Sequence, residues 1–218
     1  CALPISKIFF VLYLLIGFVP YFGASDKQAT QIIYLQLINI ASLIYIGAHI
    51  SGAHYNPAVS IAMLIRGEIS KTECFKYTIA QILGAIVGSF IYFLITNNIF
   101  EIQPDSDTTK TQFLIAEFIF TFLLVITILF VGTHPKLKDN QFYGAVIGLT
   151  VVASQYSIGE ISSSVLNPAI SLGPSIFNIF NGQGINMSLA FSPYYIFITI
   201  LGGVFAVYLF KFYLKEKK

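Results

Sequence analysis

Two short runs of residues repeat in this chain, and their chemistry is that of neutral hydrogen-bond donors. His54-Tyr55-Asn56-Pro57-Ala58-Val59-Ser60 is answered in the second half by Val165-Leu166-Asn167-Pro168-Ala169-Ile170-Ser171. Asparagine is a favoured helix N-cap, because its side-chain oxygen accepts from an early backbone N–H. Proline suits the first helical position, because the N–H it lacks would be unpaired there in any case. Each Asn-Pro therefore reads as a helix start, with partial positive charge and backbone donors gathered at one end. Glu117 is the one acid placed inside an apolar span, where a carboxylate is a functional hypothesis by default. His49 and His54 flank the first run. His54 either lines one mouth of a passage or braces the loop by hydrogen bonding, and bracing is favoured because buried polar groups need partners. His134 lies in a basic loop and is expected to be solvated. There is no Gly-Lys dipeptide for a phosphate loop, no Cys/His cluster at metal-ligand spacing and no activated nucleophile. Catalytic residues, metals and cofactors are therefore not expected, and an enzyme is excluded.

The elements that position these residues follow from composition. Hydrophobic residues make up 56% of the 218 and charged residues only 10%, with a mean hydropathy of +0.78. A soluble domain carries roughly a quarter of its residues charged, so this apolar surface must face lipid. Long apolar stretches separated by short polar segments mark a polytopic helical protein, and the short alternating segments of a membrane barrel are not visible. Spans are expected at Leu3–Phe22, Thr30–Ile50, Cys74–Ile95, Thr111–Gly132, Gln141–Ile158 and Pro193–Leu214, each near the roughly 20 residues needed to cross the hydrocarbon. Asn56–Ile65 and Asn167–Phe180 are too short to cross and read as re-entrant half-helices.

Counting loops on alternate sides, one face receives Lys7, Arg66, Lys71, Lys76, Lys136, Lys138, Lys211, Lys215, Lys217 and Lys218, while the other receives only Lys27 and Lys110. The basic face is expected to be cytoplasmic, with both termini inside. Basic residues spread over short loops do not form a nucleic-acid surface. The chain opens on Cys1 rather than Met, so preceding residues are expected, and Leu3–Phe22 shows no small-residue cleavage site. Cys1 and Cys74 are too few for a disulfide framework, and Cys74 is expected to be inert. The tripeptide Asn186-Met187-Ser188 is either a glycosylation sequon on the outer side or a chance occurrence in a polar loop.

The halves repeat beyond the Asn-Pro-Ala runs, with Ile82-Leu83-Gly84 in the third span matched by Ile200-Leu201-Gly202 in the sixth. Three spans per half force the second copy to be inverted, and inverted repeats place their site at the midplane on interrupted helices. The expectation is one channel domain over residues 1–218, with repeats at about 1–100 and 111–218. Small residues at Gly84/Gly88, Gly144/Gly148 and Gly202/Ala206 support close helix packing. The 21 Phe and 13 Tyr read as lipid-facing and interfacial side chains.

Ile50-Ser51-Gly52-Ala53-His54-Tyr55-Asn56-Pro57-Ala58-Val59, and Asn167-Pro168-Ala169 with Ser171, Gly173 and Pro174, resemble the two signatures of the major intrinsic protein family, the aquaporins and aquaglyceroporins. Ala116-Glu117-Phe118 with Thr121-Phe122 resembles that family's fourth helix, and the resemblance covers essentially the whole chain. It implies an all-α membrane protein with six transmembrane helices and two half-helices in an inverted 3+3 repeat. It further implies a homotetramer in the lipid bilayer, each subunit passing water and small neutral solutes in single file. Pro57, Ala58, Pro168 and Ala169 would shape the two turns, while Asn56 and Asn167 would offer amide N–H groups to the permeant. Positive helix ends would repel cations and interrupt a proton-conducting water chain.

By the same resemblance, Glu117 would brace the second loop. A matching acid in the first span is missing, so the first loop would be braced differently. Four filter positions fall at Gln36, Gln155, Ser164 and Ile170. The family usually has Arg where Ile170 stands, and an aromatic at Gln36. Without that Arg the filter loses a fixed charge and a multi-donor fork. Ser171 fits the water-channel pattern. The alternatives are an aquaglyceroporin-like channel for glycerol, urea or ammonia, and a non-conducting structural protein on the same scaffold.

Overall fold

The computed structural model describes residues 26–99, 101–137, 139–184 and 187–216, with side chains from Ile38 onward except at 183 and 216. The expected span Leu3–Phe22, with its missing acid, lies outside the described residues, as do Lys7, Lys138, Asn186, Lys217 and Lys218. Within the described residues seven α-helices run in the order α1 Asp26–Ser51, α2 Pro57–Arg66, α3 Lys71–Thr96, α4 Lys110–Thr133, α5 Tyr143–Ser162, α6 Pro168–Asn178 and α7 Met187–Glu216. A π-helical turn, Ile179–Gln183, follows α6.

Four of these helices, α3, α4, α5 and the stretch Met187–Lys215 of α7, are long and apolar enough to cross a membrane. Their outward side chains are as apolar as their inward ones: Phe75, Leu94, Ile95, Phe197 and Phe212 are all more than 60% exposed. A face of that kind is stable only against lipid or another protein. The aromatics do not all lie there, however. Tyr55, Phe113, Tyr195 and Phe210 are fully buried, because rings at helix crossings fill volume that small residues leave open.

Helices α1, α3, α4 and α7 start earlier than their expected spans, whereas α5 starts two residues later, at Tyr143 rather than Gln141. Ser70 and Glu73 form a capping box at α3, and Thr109 and Gln112 form one at α4, so polar first turns are helical although hydropathy alone excludes them. The largest difference is at the last helix, which begins at Met187 rather than Pro193. Ser188 and Ser192 fall in its first two turns. Ser192 Oγ donates to the Ser188 and Ser171 carbonyls, and it lies 3.0 Å from Ser175 Oγ. Protein partners therefore satisfy a polar stretch that looked like loop.

The short helices lean on long helices of the opposite half. α2 packs on α7, α6 packs on α3, α1 pairs with α5, and α4 lies against α5 and α7. These contacts depend on missing side-chain volume. A Cβ added at Gly173 would come within 2.1 Å of Ala85 Cβ and 2.8 Å of its backbone carbon, and one at Gly202 would meet the Phe118 oxygen at 2.7 Å. Gly173→Val is expected to push α6 off α3 and cost about 1–3 kcal/mol through overpacking. A lowered melting temperature in detergent would register it, and a wild-type value would show that the helices can separate without loss.

Both half-helices start inside the protein, so the unpaired backbone groups of their first turns must find partners there. At α2 the Asn56 side chain accepts from Ala58 N at 2.9 Å. At its other end Gly67 takes φ 92, while Gly67 N and Glu68 N both return to the Met63 carbonyl. That left-handed turn is open to glycine without steric cost. Lys211 Nζ supplies a further donor to the Ile65 carbonyl at 3.2 Å. The Arg66 guanidinium lies 5.5 Å from the Phe210 ring centroid.

Candidate functional site

The site is assembled from two loops and two helix starts. Before each half-helix the backbone adopts left-handed φ at three matching positions. Gly52, Ala53 and Tyr55 lie four, three and one residues before Asn56; Ser163, Ser164 and Leu166 lie at the same offsets before Asn167. Five of these six are not glycine, and each such residue costs roughly 1–2 kcal/mol. Only a dense set of contacts can hold two strained loops in one conformation.

Those contacts are visible. Asn56 Nδ2 donates to the Leu166 carbonyl at 2.8 Å, and Asn167 Nδ2 donates to the Tyr55 carbonyl at 3.1 Å. Each asparagine therefore caps its own helix through oxygen and ties itself through nitrogen to the residue preceding the other asparagine. One amide hydrogen is used in each tie, which leaves one per asparagine for another partner. Pro57 and Pro168 occupy the first helical positions, and Ala58 and Ala169 are buried beside them.

The second loop hangs on Glu117, a fully buried residue of α4. Its Oε1 accepts from Ser162 Oγ at 2.7 Å and Val165 N at 2.8 Å, and its Oε2 accepts from Leu166 N at 2.8 Å. Tyr195 Oη adds a bond to the Ser162 carbonyl at 2.8 Å. The first loop is tied by a residue that the sequence reading overlooked. Gln81, fully buried on α3, accepts from Asn56 N at 3.1 Å and Ser60 Oγ at 3.0 Å and donates to the Tyr77 carbonyl at 3.3 Å, in the amide orientation that satisfies every donor. Its signal was a neutral amide interrupting an apolar run. Gln81→Leu keeps the volume but strands the Asn56 N–H, and an expected loss of about 1–3 kcal/mol would be read from thermal unfolding.

His54 places Nδ1 3.4 Å from Ser60 Oγ and its ring 5.3 Å from Tyr77, and it also borders the central cavity. The expectation of a solvated His134 is corrected. That residue is only 8% exposed and stacks on Phe130 at 5.6 Å, with Phe210 and Tyr213 around it. As the C-cap of α4 it sits where the helix meets α7, so the aromatic cluster covers it. Cys74 is a buried thiol.

A cavity of about 590 Å³ runs past both asparagines. It reaches Glu73 and Tyr77 near the start of α3, and Ile102 just beyond that helix's far end, so it extends along the bundle axis. Stripes at four-residue spacing line it, Ile40-Ile44-Ala48 on α1 and Tyr143-Ile147-Val151-Gln155 on α5, as one face of each helix requires. Gln155, Ser164 and Ile170 all border the lumen. Gln36 lies one turn before Ile40 on α1, but its side chain is outside the described residues. Gln155 is 3% exposed, and among the described residues its amide has no protein partner. Ser164 Oγ is buried and likewise unpaired. No group of three or more His, Cys, Asp or Glu side chains among the described residues could hold a metal.

Two helix starts that meet on a lengthwise cavity inside a lipid-facing bundle define a helical membrane channel. The chain belongs to the major intrinsic protein family, whose match extends over residues 5–210. It is 34% identical over 185 residues to aquaporin AqpM of Methanothermobacter marburgensis, covering 81% of this chain and 74% of that protein. It is 35% identical to the probable aquaporin AqpM of Archaeoglobus fulgidus, covering 81% and 73%. Its fold superimposes on the X-ray structure of the aquaglyceroporin from Plasmodium falciparum with a TM-score of 0.76 at 21% identity, covering 94% of this chain and 89% of that one. The protein is thus an integral, multi-pass, aquaporin-like channel and not an enzyme.

Proposed function

We propose that the channel conducts water in single file, with small neutral solutes as the wider possibility, and that the two asparagines form its central contact. The observation that carries this reading is the reciprocal tie between Asn56 and Asn167. It fixes both helix starts at one point and leaves one amide N–H on each side for a permeant oxygen. A water held by two donors presents its hydrogens away from them, so a proton relay would break there. The cavity along the bundle favours conduction over a purely structural role. The matched offsets of the strained loops and the exchanged packing of α2 and α6 support an inverted repeat within one channel domain. A homotetramer, with both termini on the cytoplasmic side, completes the proposal.

Isoleucine at position 170, where the family usually has arginine, is the observation that favours wider selectivity, including glycerol, urea or ammonia. Stopped-flow light scattering of proteoliposomes separates the readings, using an impermeant osmolyte and then glycerol and urea gradients. Water flux above empty liposomes without solute entry identifies a strict water channel. Solute entry moves the assignment to the aquaglyceroporin side. No flux from inserted, folded protein overturns conduction.

A further inference from the structure

The loop joining α3 to α4 looks like a surface connection in sequence, Glu101-Ile102-Gln103-Pro104-Asp105 being mostly polar. In the fold it turns inward. Ile102 is 2% exposed, borders the cavity, and shares one apolar cluster with Ile170, Ile40 and Ile44. Nothing in its own helix-to-helix loop explains that burial. The second half supplies it: Ser188 Oγ on α7 accepts from Ile102 N and donates to the Ile102 carbonyl at 3.0 Å. The neighbouring residues are fastened as well, with Ser163 Oγ donating to the Gln103 carbonyl at 2.9 Å and Asp105 N to the Ile161 carbonyl at 3.2 Å. Four hydrogen bonds to the second half, made by three loop residues, are more than a covering loop needs, and together they hold one aliphatic side chain at the lumen.

Among the described residues, the polar side chains on this stretch of the lumen are few and neutral. Gln155 offers an amide and Ser164 a hydroxyl, and neither has a protein partner among the described residues. Ile102 and Ile170 supply aliphatic surface with no hydrogen-bonding capacity. A solute entering here gives up water and regains hydrogen bonds where it faces Gln155, Ser164 or the loop backbone at Ser163 and Val165. Polar groups turned toward the isoleucines are left unmatched, and that carries a free-energy penalty. We propose that Ile102 is a specificity-determining residue, positioned by Ser188, which joins Ile170 in an aliphatic constriction that passes neutral solutes with one polar and one apolar face ahead of solutes polar on every side. This inference rests on the channel reading above.

Acetamide and urea make a direct probe, because they are nearly equal in size and differ by a methyl group in place of an amino group. Wild-type protein in liposomes is expected to pass acetamide about tenfold faster than urea after subtraction of empty-liposome rates, the scale on which an apolar contact discriminates. Ile102→Asn is expected to bring that ratio near unity. Ser188→Ala leaves every lining side chain in place but releases the loop, and it is expected to shift the ratio the same way. A wild-type ratio near unity, or a ratio unchanged in both variants at unaltered water flux, overturns the role of Ile102 alone. Absence of water flux from folded wild-type and both variants overturns the channel reading, and this inference with it. Where Ile102→Asn does not fold, Ser188→Ala and Ile102→Val carry the test, with the valine expected to retain most of the preference.

Discussion

Replacing Glu117 with alanine is expected to remove most folded protein. The carboxylate accepts three hydrogen bonds in a fully buried position, from Ser162 Oγ, Val165 N and Leu166 N. Two of those donors belong to a loop whose Ser163, Ser164 and Leu166 already sit at left-handed φ. A buried donor left without a partner costs about 1–3 kcal/mol; the Ser162 hydroxyl can fall back on the Ile158 carbonyl at 3.3 Å, so the two orphaned loop N–H groups amount to roughly 2–6 kcal/mol. That is a large share of the roughly 5–15 kcal/mol by which a domain is stable. Glu117→Gln should lose less, because one oxygen still accepts while the amide nitrogen confronts a backbone N–H. Ser162→Ala should lose least, since both loop N–H groups keep their acceptor. The ordering alanine, then glutamine, then Ser162→Ala, read from melting temperature and yield in detergent, tests whether the acid holds the loop. Equal stability of all three with wild type would remove Glu117 from the account.

Residues whose chemistry is local were legible in the sequence; residues that act across the fold were not. Asn56 and Asn167 could be read because a cap and a first-turn proline are neighbours in the chain, and the observed helices begin one residue after each asparagine. Glu117 stood out because a carboxylate in an apolar run needs an explanation. The reciprocal tie between Asn56 and Leu166 joins residues 110 apart, and no local pattern encodes it. Ile102 was missed for the same reason, since its partner Ser188 is 86 residues away and its loop is polar by composition. Gln81 and His134 show a different limit. A neutral amide in a helix and a histidine in a basic loop are each ordinary, and only the packing of α3 on the first loop, or of α4 on α7, gives them a role. The start of α7 was misplaced because hydropathy treats serine as loop, whereas Ser188 and Ser192 spend their hydroxyls on neighbouring segments.

Asn167→Asp is expected to open the channel to cations while leaving its helix capped. Aspartate caps as well as asparagine, so the bond now made by Ala169 N at 3.0 Å can persist. The donor to the Tyr55 carbonyl disappears, however, and a carboxylate oxygen takes its place opposite that carbonyl. Each helix start contributes about half a positive charge, so the two together supply roughly one, which a single carboxylate cancels. The position where an arginine would add a second barrier holds Ile170, so little else opposes a cation at the centre. Proton entry into liposomes, followed with an internal pH dye under an imposed gradient, should rise at least about tenfold, equivalent to roughly 1.4 kcal/mol off the barrier. Asn167→Ser separates charge from contact, because serine caps but is too short to reach Tyr55 and carries no charge. It should lose stability and stay proton-tight. Asn56→Asp should behave like Asn167→Asp, because it breaks the mirrored tie to Leu166. If Asn167→Asp proves as proton-tight as the wild type, the helix ends do not set the barrier, and exclusion lies elsewhere along the channel.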